Sequence, residues 1–438
     1  EIYTLSLHDA LPIYELEGKK VQVALIGTGK MGRGLIAQMS RIPGMRPSVV
    51  VGRTLEKGKA AFLTAGVSME DMVITNQLEK AKEAVQKGRF VLTEDSDLPF
   101  QIDAIQGVVD ATGSPIFGAE LAIKTLDAGK DLISLNVELD SVIGPLLLKR
   151  AEEKGLIYTG SAGDEPGAIM ELSDFALGVG FDLLAVGKGK NNILNRSMKE
   201  DDLRQTALKQ GLSPRMLTGF VDGTNTMIEL TGVGNALGFV PDIPGCHGPK
   251  ATPENLSRIF SLKEEGGILS GYGIVDFAFG MAPGVFAVVT SKNEDVKKLM
   301  GYLHMGKGPN FILHRPYHLT SLETPLSIYN AIVEREATIA PGCGQVCDTV
   351  AVAKKDLKKG ESLEGIGGKS CYGMIVSHST QQEENYVPMG LLTEGAVMKE
   401  DVKKDTWMTY SMVDLEDTTL LRLRQEQDIM EWRGSGEV

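Results

Sequence analysis

The stretch VQVALIGTGKMG, residues 21–32, decides how this chain is read. Its first six residues, Val21 to Ile26, form a short apolar run with strand character. Gly27, Gly29 and Gly32 follow at once in the spacing GxGxxG, and the next residues read as a helix. A strand, this loop and a helix together make a dinucleotide-binding fingerprint. The first glycine permits the tight turn, the second lets backbone approach a pyrophosphate, and the third lets helix and strand pack closely. Lys30 and Met31 open the helix, whose free N–H groups face the phosphates. The next strand, residues 48–51, ends in Gly52, Arg53 and Thr54. No carboxylate stands there to bind a ribose 2′-hydroxyl. Arg53 can pair with a 2′-phosphate and Thr54 can donate to it, so the cofactor read from these residues is NADP(H).

Working outward, apolar strands alternate with helical stretches. A helix is expected through residues 56–65, and residues 69–89 read mostly as helix. Strands are expected at 90–93, 106–111, 132–135 and 156–159. The fold class is therefore α/β, with an N-terminal Rossmann doubly wound parallel sheet. Ligands of such sheets bind beyond the carboxyl ends of the strands, which adds Thr112, Gly113 and Asn136 to the cofactor candidates. From residue 161 the chain reads as an α+β catalytic domain, and from 339 to 425 as a small β-rich module of short strands and Lys-Lys turns. The expected organisation is 14–160, 161–338 and 339–425, with a charged tail at 426–438. Residues 1–13, EIYTLSLHDALPI, look like a non-native leader and are set apart from the fold.

The 438 residues suffice for two or three domains. The formal charge of −13 argues against nucleic acid or an anionic membrane as partner. An anionic substrate would then need a local basic pocket. No apolar stretch is long enough to span a bilayer, and no secretory signal is recognised. Four cysteines do not suggest a disulfide framework, and Cys343 and Cys347 lack nearby metal ligands. A cytoplasmic protein is expected.

GTGKMG, DATGSP at residues 110–115 and GSAGDEPG at 160–167 together resemble the homoserine dehydrogenase-like oxidoreductases. AKKDLKKGESL and GLLTEGAVMKEDVKKD resemble a SAF domain, a small β-clip module. The pairing resembles the type II subfamily related to 1-deoxy-D-xylulose 5-phosphate reductoisomerase. That resemblance implies NADPH-dependent conversion of this phosphorylated ketose to 2-C-methyl-D-erythritol 4-phosphate, and a homo-oligomer. It covers roughly residues 15–425. One departure stands out: the lysine usual in homoserine dehydrogenases after the strand ending at Asn136 is absent, and the chain continues Val137, Glu138. Homoserine is therefore a poor substrate choice.

Reducing a carbonyl requires a group that polarises its oxygen and delivers a proton. Lys188 and Lys190, two apart in a glycine-rich stretch expected to turn at a strand end, suit this role or anion binding. The alternative is a pair of solvated loop lysines. Asp222 joins them as a catalytic candidate, and Asn191 and Asn192 could bond sugar hydroxyls. Residues 314–321 gather His314, Arg315, Tyr317, His318, Thr320 and Ser321, a set suited to a phosphate or carboxylate. Otherwise they form a polar loop with satisfied histidines. Asp164 and Glu165 are adjacent, while Asp222 and Glu229 lie seven apart and would share one helix face. Asp164, Glu165 and Glu229 are the candidate ligands for Mg2+ or Mn2+. Helix capping by Asp222 and an ion pair at Glu229 are the alternative. Three functions remain open: an NADPH-dependent enzyme on a phosphorylated ketose, a dehydrogenase of a non-phosphorylated sugar acid or semialdehyde, and a non-catalytic NADP(H)-binding regulator.

Overall fold

The computed structural model describes residues 7–430 and Trp432. The start of the leader (residues 1–6) and most of the charged tail (431 and 433–438) lie outside the described residues. Two compact units divide the chain. The first holds residues 1–136, 146–167 and 319–340, and the second holds 137–145, 168–318 and 341–438.

The first unit is built on seven strands: β1 (Val21–Ile26), β2 (Met45–Val51), β3 (Met72–Ile74), β4 (Phe90–Thr93), β5 (Gly107–Asp110), β6 (Asp131–Ser134) and β7 (Tyr158–Gly160). All pair in parallel, in the order β3-β4-β2-β1-β5-β6-β7. The strands are buried nearly throughout because helices cover both faces, as their continuous apolar runs require. Val23, Leu25, Leu35 and Ile36 pack on one face, and Ala24, Ile26, Val49 and Val108 on the other. Each fully buried Leu or Ile side chain contributes about 2 kcal/mol. The progression of strands reverses between β1 and β5, so a crevice opens beyond Ile26 and Asp110.

Three local expectations change in this unit. Residues 69–89 are not mostly helical, since β3 precedes the helix Leu78–Gln86. Met72 is the buried residue of that edge strand. Residues 7–13, read as part of a leader, belong to the helix Leu7–Leu16, and Leu11 enters the core. The returning segment 319–340 also joins this unit, packing the helix Thr324–Tyr329 into the same core through Ile328 and Tyr329.

The second unit centres on a mixed four-stranded sheet of β8 (Asp182–Lys190), β9 (Ile274–Phe279), β10 (Val285–Thr290) and β11 (Phe311–Arg315), ordered β11-β10-β8-β9. Strand alternation divides its side chains. Val186, Phe277, Val285, Ala287 and Val289 meet the helices Glu165–Gly178, Thr224–Leu237 and Glu294–Tyr302. Leu184, Ala278, Phe286 and Val288 meet Leu256, Phe260 and Leu269.

From residue 341 on, the chain belongs to this second unit. There β12 (Cys347–Ala353) pairs antiparallel with β13 (Cys371–Ser377), and β14 (Val397–Met398) with β15 (Val413–Asp414). The two Lys-Lys phrases meet each other. Leu357 and Val402 exchange both backbone hydrogen bonds, at 2.8 and 2.9 Å. Lys358 pairs with Asp401 and Lys403 with Asp356, each at 2.7 Å. The Asp-x-Lys-Lys repetition is thus a local two-fold pairing of turns. Part of the region read as a charged tail is ordered too. The helix Thr419–Asp428 buries Arg424 completely against Asp348 at 2.6 Å and Asp428 at 2.7 Å. Burial raises the Asp348 carboxyl, but Arg424 and His378 outweigh it and hold the group below the usual carboxylate range.

Candidate active site

In the first unit the glycine loop has the geometry its spacing implies. Gly27 adopts φ +112°, and a Cβ there would lie 2.7 Å from the Ala111 carbonyl oxygen. At Gly32 a Cβ would meet the Gly27 carbonyl oxygen at 2.0 Å, so helix and loop could not pack this closely with any side chain. Gly29 differs, because a Cβ there would touch nothing within 4 Å. It caps the helix Lys30–Met39 without a side-chain hydrogen bond, leaving the first-turn N–H groups of Lys30, Met31 and Gly32 directed outward. The arrangement fits a pyrophosphate. Arg53 and Thr54 are exposed beyond β2. No hydrogen bond or ion pair engages the Arg53 side chain among the described residues, and the Thr54 hydroxyl does not cap the helix it precedes.

Thr112 and Asn136 converge on Asp110, which the sequence reading passed over. Asp110 accepts from the Thr112 N–H and hydroxyl and from the Asn136 amide. Its place at a strand end, within a motif already quoted, was the available signal.

In the second unit Lys188 and Lys190 are not on a turn. They lie within the last three residues of β8, which continues as strand through the glycine-rich stretch, and both are buried. Backbone pairing continues through Gly187 and Gly189 because β9 lies against β8 there; a Cβ at Gly187 would meet the Asp276 carbonyl oxygen at 1.9 Å. Lys188 forms a buried hydrogen-bonded ion pair with Glu229. Lys190 donates to the Phe220 carbonyl oxygen at 2.8 Å. Asn191 and Asn192 follow directly, the first exposed and the second half-buried.

Sheet register joins Lys188 to Arg315. Val285 of β10 is the partner of Lys188 on one side and Arg315 on the other. The three side chains therefore share one face and one row, with the Cα atoms of Lys188 and Arg315 about 10 Å apart, two strand spacings. Arg315 pairs with Glu171 at 2.8 Å and stacks 4.6 Å from the Tyr317 ring centre. His314 points to the other face, opposite Phe286. Burial lowers its imidazole, and its Nε2 finds no hydrogen-bond partner among the described residues.

The dense segment 314–321 is divided between the two units. Arg315, Tyr317 and His318 belong to the second unit, and Thr320 and Ser321 to the first. Ser321 packs on the helix Lys30–Met39 at Gly34, where a Cβ would come within 2.9 Å of its hydroxyl. The Thr320 N–H donates to the Gly163 carbonyl oxygen at 2.7 Å.

The acids also separate. Asp222 and Glu229 do not share a helix: Asp222 ends Pro214–Asp222, Gly223 turns the chain at φ +91°, and Glu229 lies in Thr224–Leu237. Asp222 is fully buried against Lys354 at 2.7 Å, and its carboxylate accepts the Thr224 N–H. Burial dominates and raises its carboxyl. That geometry commits the Asp222 carboxylate to Lys354 and Thr224. Glu229 is committed to Lys188, with Asn225 one turn earlier donating to Glu138 at 3.4 Å. Asp164 and Glu165, both half-buried, open the helix Glu165–Gly178. Glu171 and Lys354, the counter-ions of Arg315 and Asp222, had no signal in the sequence, being distant along the chain or on an unremarked helix face.

Among the described residues no helix is long and apolar enough to cross a membrane. Residues 163–324 match the family model described as Oxidoreductase DRL, catalytic domain. No curated protein matches the chain. Among solved structures it is similar to a probable dehydrogenase from Thermotoga maritima, with 11% identity, 73% of this chain and 91% of that one covered, and a TM-score of 0.43. A DOX-P reductoisomerase in complex with magnesium shares 15% identity, covering 73% and 70%, at a TM-score of 0.40. The myo-inositol dehydrogenase from Lactobacillus casei, in complex with NAD(H) and myo-inositol, shares 15% over 69% and 68%, at 0.34. These superpositions are loose, so the fold rests on the strand order itself. With a catalytic-domain match over residues 163–324 and a Rossmann-type sheet in the same chain, the expectation of an NAD(P)-dependent oxidoreductase holds.

Proposed function

We propose that the chain uses NADP(H) to reduce or oxidise a small carbonyl compound bearing an anionic group. Its sharpest form is the reductive isomerisation of 1-deoxy-D-xylulose 5-phosphate. The observation that carries this reading is the row of Lys188 and Arg315 on one sheet face, two cations with separate tasks. Lys188, held in its ion pair with Glu229, serves as donor to the carbonyl oxygen. Arg315, braced by Glu171 and Tyr317, offers a forked donor to a phosphate or carboxylate. Lys190, Asn191 and Asn192 supply further donors at the end of the same strand.

For the cofactor, Gly27, Gly29 and Gly32 with the N–H groups of Lys30 and Met31 would hold the pyrophosphate, and Arg53 and Thr54 the 2′-phosphate. Thr112, Gly113 and Asn136 would line the other half. The nicotinamide, when bound, supplies the hydride. Of the proposed metal ligands, Glu229 is taken by Lys188, leaving Asp164 and Glu165 as the carboxylates for Mg2+ or Mn2+. The SAF-like assignment of residues 339–425, the homoserine dehydrogenase kinship, the cytoplasmic location and a homo-oligomer belong to the same proposal. Arg315 would serve a carboxylate as well as a phosphate, since Glu171 already occupies it in that way. That favours a sugar acid or semialdehyde as the second reading.

The test is NADPH consumption by the purified protein with 1-deoxy-D-xylulose 5-phosphate, with and without Mg2+ or Mn2+. Formation of a branched methylerythritol phosphate supports the sharpest form. Intact NADPH binding without turnover removes that reaction, and a panel of sugar acids and semialdehydes then decides the second reading.

A further inference from the structure

We infer that Asp110 positions the nicotinamide-side half of the cofactor cradle, an inference that rests on the dinucleotide reading above. Asp110 ends β5 at the point where the strand progression reverses. Its register partners are Ile26 on β1 and Ser134 on β6. Arg53 follows β2, on the other side of β1. A dinucleotide whose 2′-phosphate meets Arg53 and whose pyrophosphate meets the loop after β1 therefore directs its remaining half toward the loops after β5 and β6. Those are the two loops that Asp110 ties together.

The side chain is 1% exposed, and its oxygens are divided between the loops. Oδ1 accepts the Thr112 N–H at 2.9 Å and the Thr112 hydroxyl at 2.6 Å. Oδ2 accepts the Asn136 amide at 2.9 Å, and the same amide donates to the Ser114 carbonyl oxygen at 3.0 Å. The backbone extends the tie, with the Leu135 N–H donating to the Asp110 carbonyl oxygen at 2.8 Å. Burial drives the carboxyl upward, opposed by these hydrogen bonds. Only a carboxylate offers two acceptor-only oxygens to donors from two loops; an amide would turn a donor toward one of them. The loop so held presents Gly113, exposed, at φ +64°, where a Cβ would touch nothing within 4 Å. Asp110 is thus a positioning residue, acting through Thr112 and Asn136.

Calorimetric titration of the full chain with NADPH and with 2′,5′-ADP, which lacks the nicotinamide half, separates this role from general support of the fold. Asp110→Asn is expected to weaken NADPH binding roughly tenfold, the loss of one good hydrogen bond, and to leave 2′,5′-ADP within about twofold. Thr112→Val removes only the hydroxyl bond and is expected to weaken NADPH alone, by a few-fold; it decides the matter if Asp110→Asn does not fold. Equal weakening of both ligands, or no change in either, overturns the inference. If the wild type binds 2′,5′-ADP but neither variant alters NADPH, the fingerprint stands and Asp110 has no such role. Wild-type protein that binds neither ligand overturns the NADP(H) reading itself.

Discussion

Removing one partner of the Lys188–Glu229 pair should destabilise the second unit far more than removing both. The two side chains are each 8% exposed, so solvent screens them little. Glu229→Leu leaves a buried ammonium stripped of that carboxylate, and Lys188→Met leaves the reverse. Each single change is expected to cost about 3 kcal/mol, the low end for breaking a buried pair. Lys188→Met combined with Glu229→Leu replaces the pair with apolar volume and should cost less than about 1 kcal/mol. Both tryptophans of the chain, Trp407 and Trp432, lie in the second unit, so their fluorescence reports its unfolding. With a urea dependence near 3 kcal/mol per molar, each single variant should lower the midpoint by about 1 M. The double variant should return close to wild type. If the two single losses add to the double within about 0.5 kcal/mol, the residues are not coupled and the reasoning fails.

Asp276, buried in β9 and accepting the N–H groups of His247, Gly248 and Phe277, is raised by burial to about 6. A group raised above its unfolded value stabilises at low pH and loses that contribution as pH climbs through the folded value. The stability of wild type relative to Asp276→Asn should therefore grow by about 2 kcal/mol from pH 7 to pH 4; a flat or reversed difference contradicts it. Arg53→Ala should lower the preference for NADPH over NADH, measured as the ratio of kcat/KM, by roughly tenfold or more, since a charge-assisted contact is lost. An unchanged ratio assigns the 2′-phosphate to other residues. Arg424→Ala leaves Asp348 buried beside His378 without its guanidinium, at a cost of about 3 kcal/mol. Hydrogen exchange in the helix Thr419–Asp428 should then quicken well before the strands of the first unit are affected.

The glycine loop was legible in the sequence because each demand on it is local. Gly27 must reach a positive φ, Gly32 must carry no side chain, and both needs are met within one strand–loop–helix of consecutive residues. The strand ends at Arg53, Thr112 and Asn136 followed from the same α/β alternation. The second unit was not legible in this way. Lys188 and Arg315 are far apart in the chain, and only the antiparallel register through Val285 sets them in one row. Asp222 and Glu229 looked like neighbours at helical spacing, until one left-handed glycine placed them on separate helices with separate counter-ions.

By itself, then, the sequence determined the parallel sheet, its glycine loop and the ends of its strands, because short-range sterics and hydrogen-bonding demands act between consecutive residues. Tertiary structure alone decided which charges meet. A buried ion needs a partner within a few ångströms, and in this chain the partners of Lys188, Asp222, Arg315 and Arg424 arrive from distant segments brought together by strand register and helix packing.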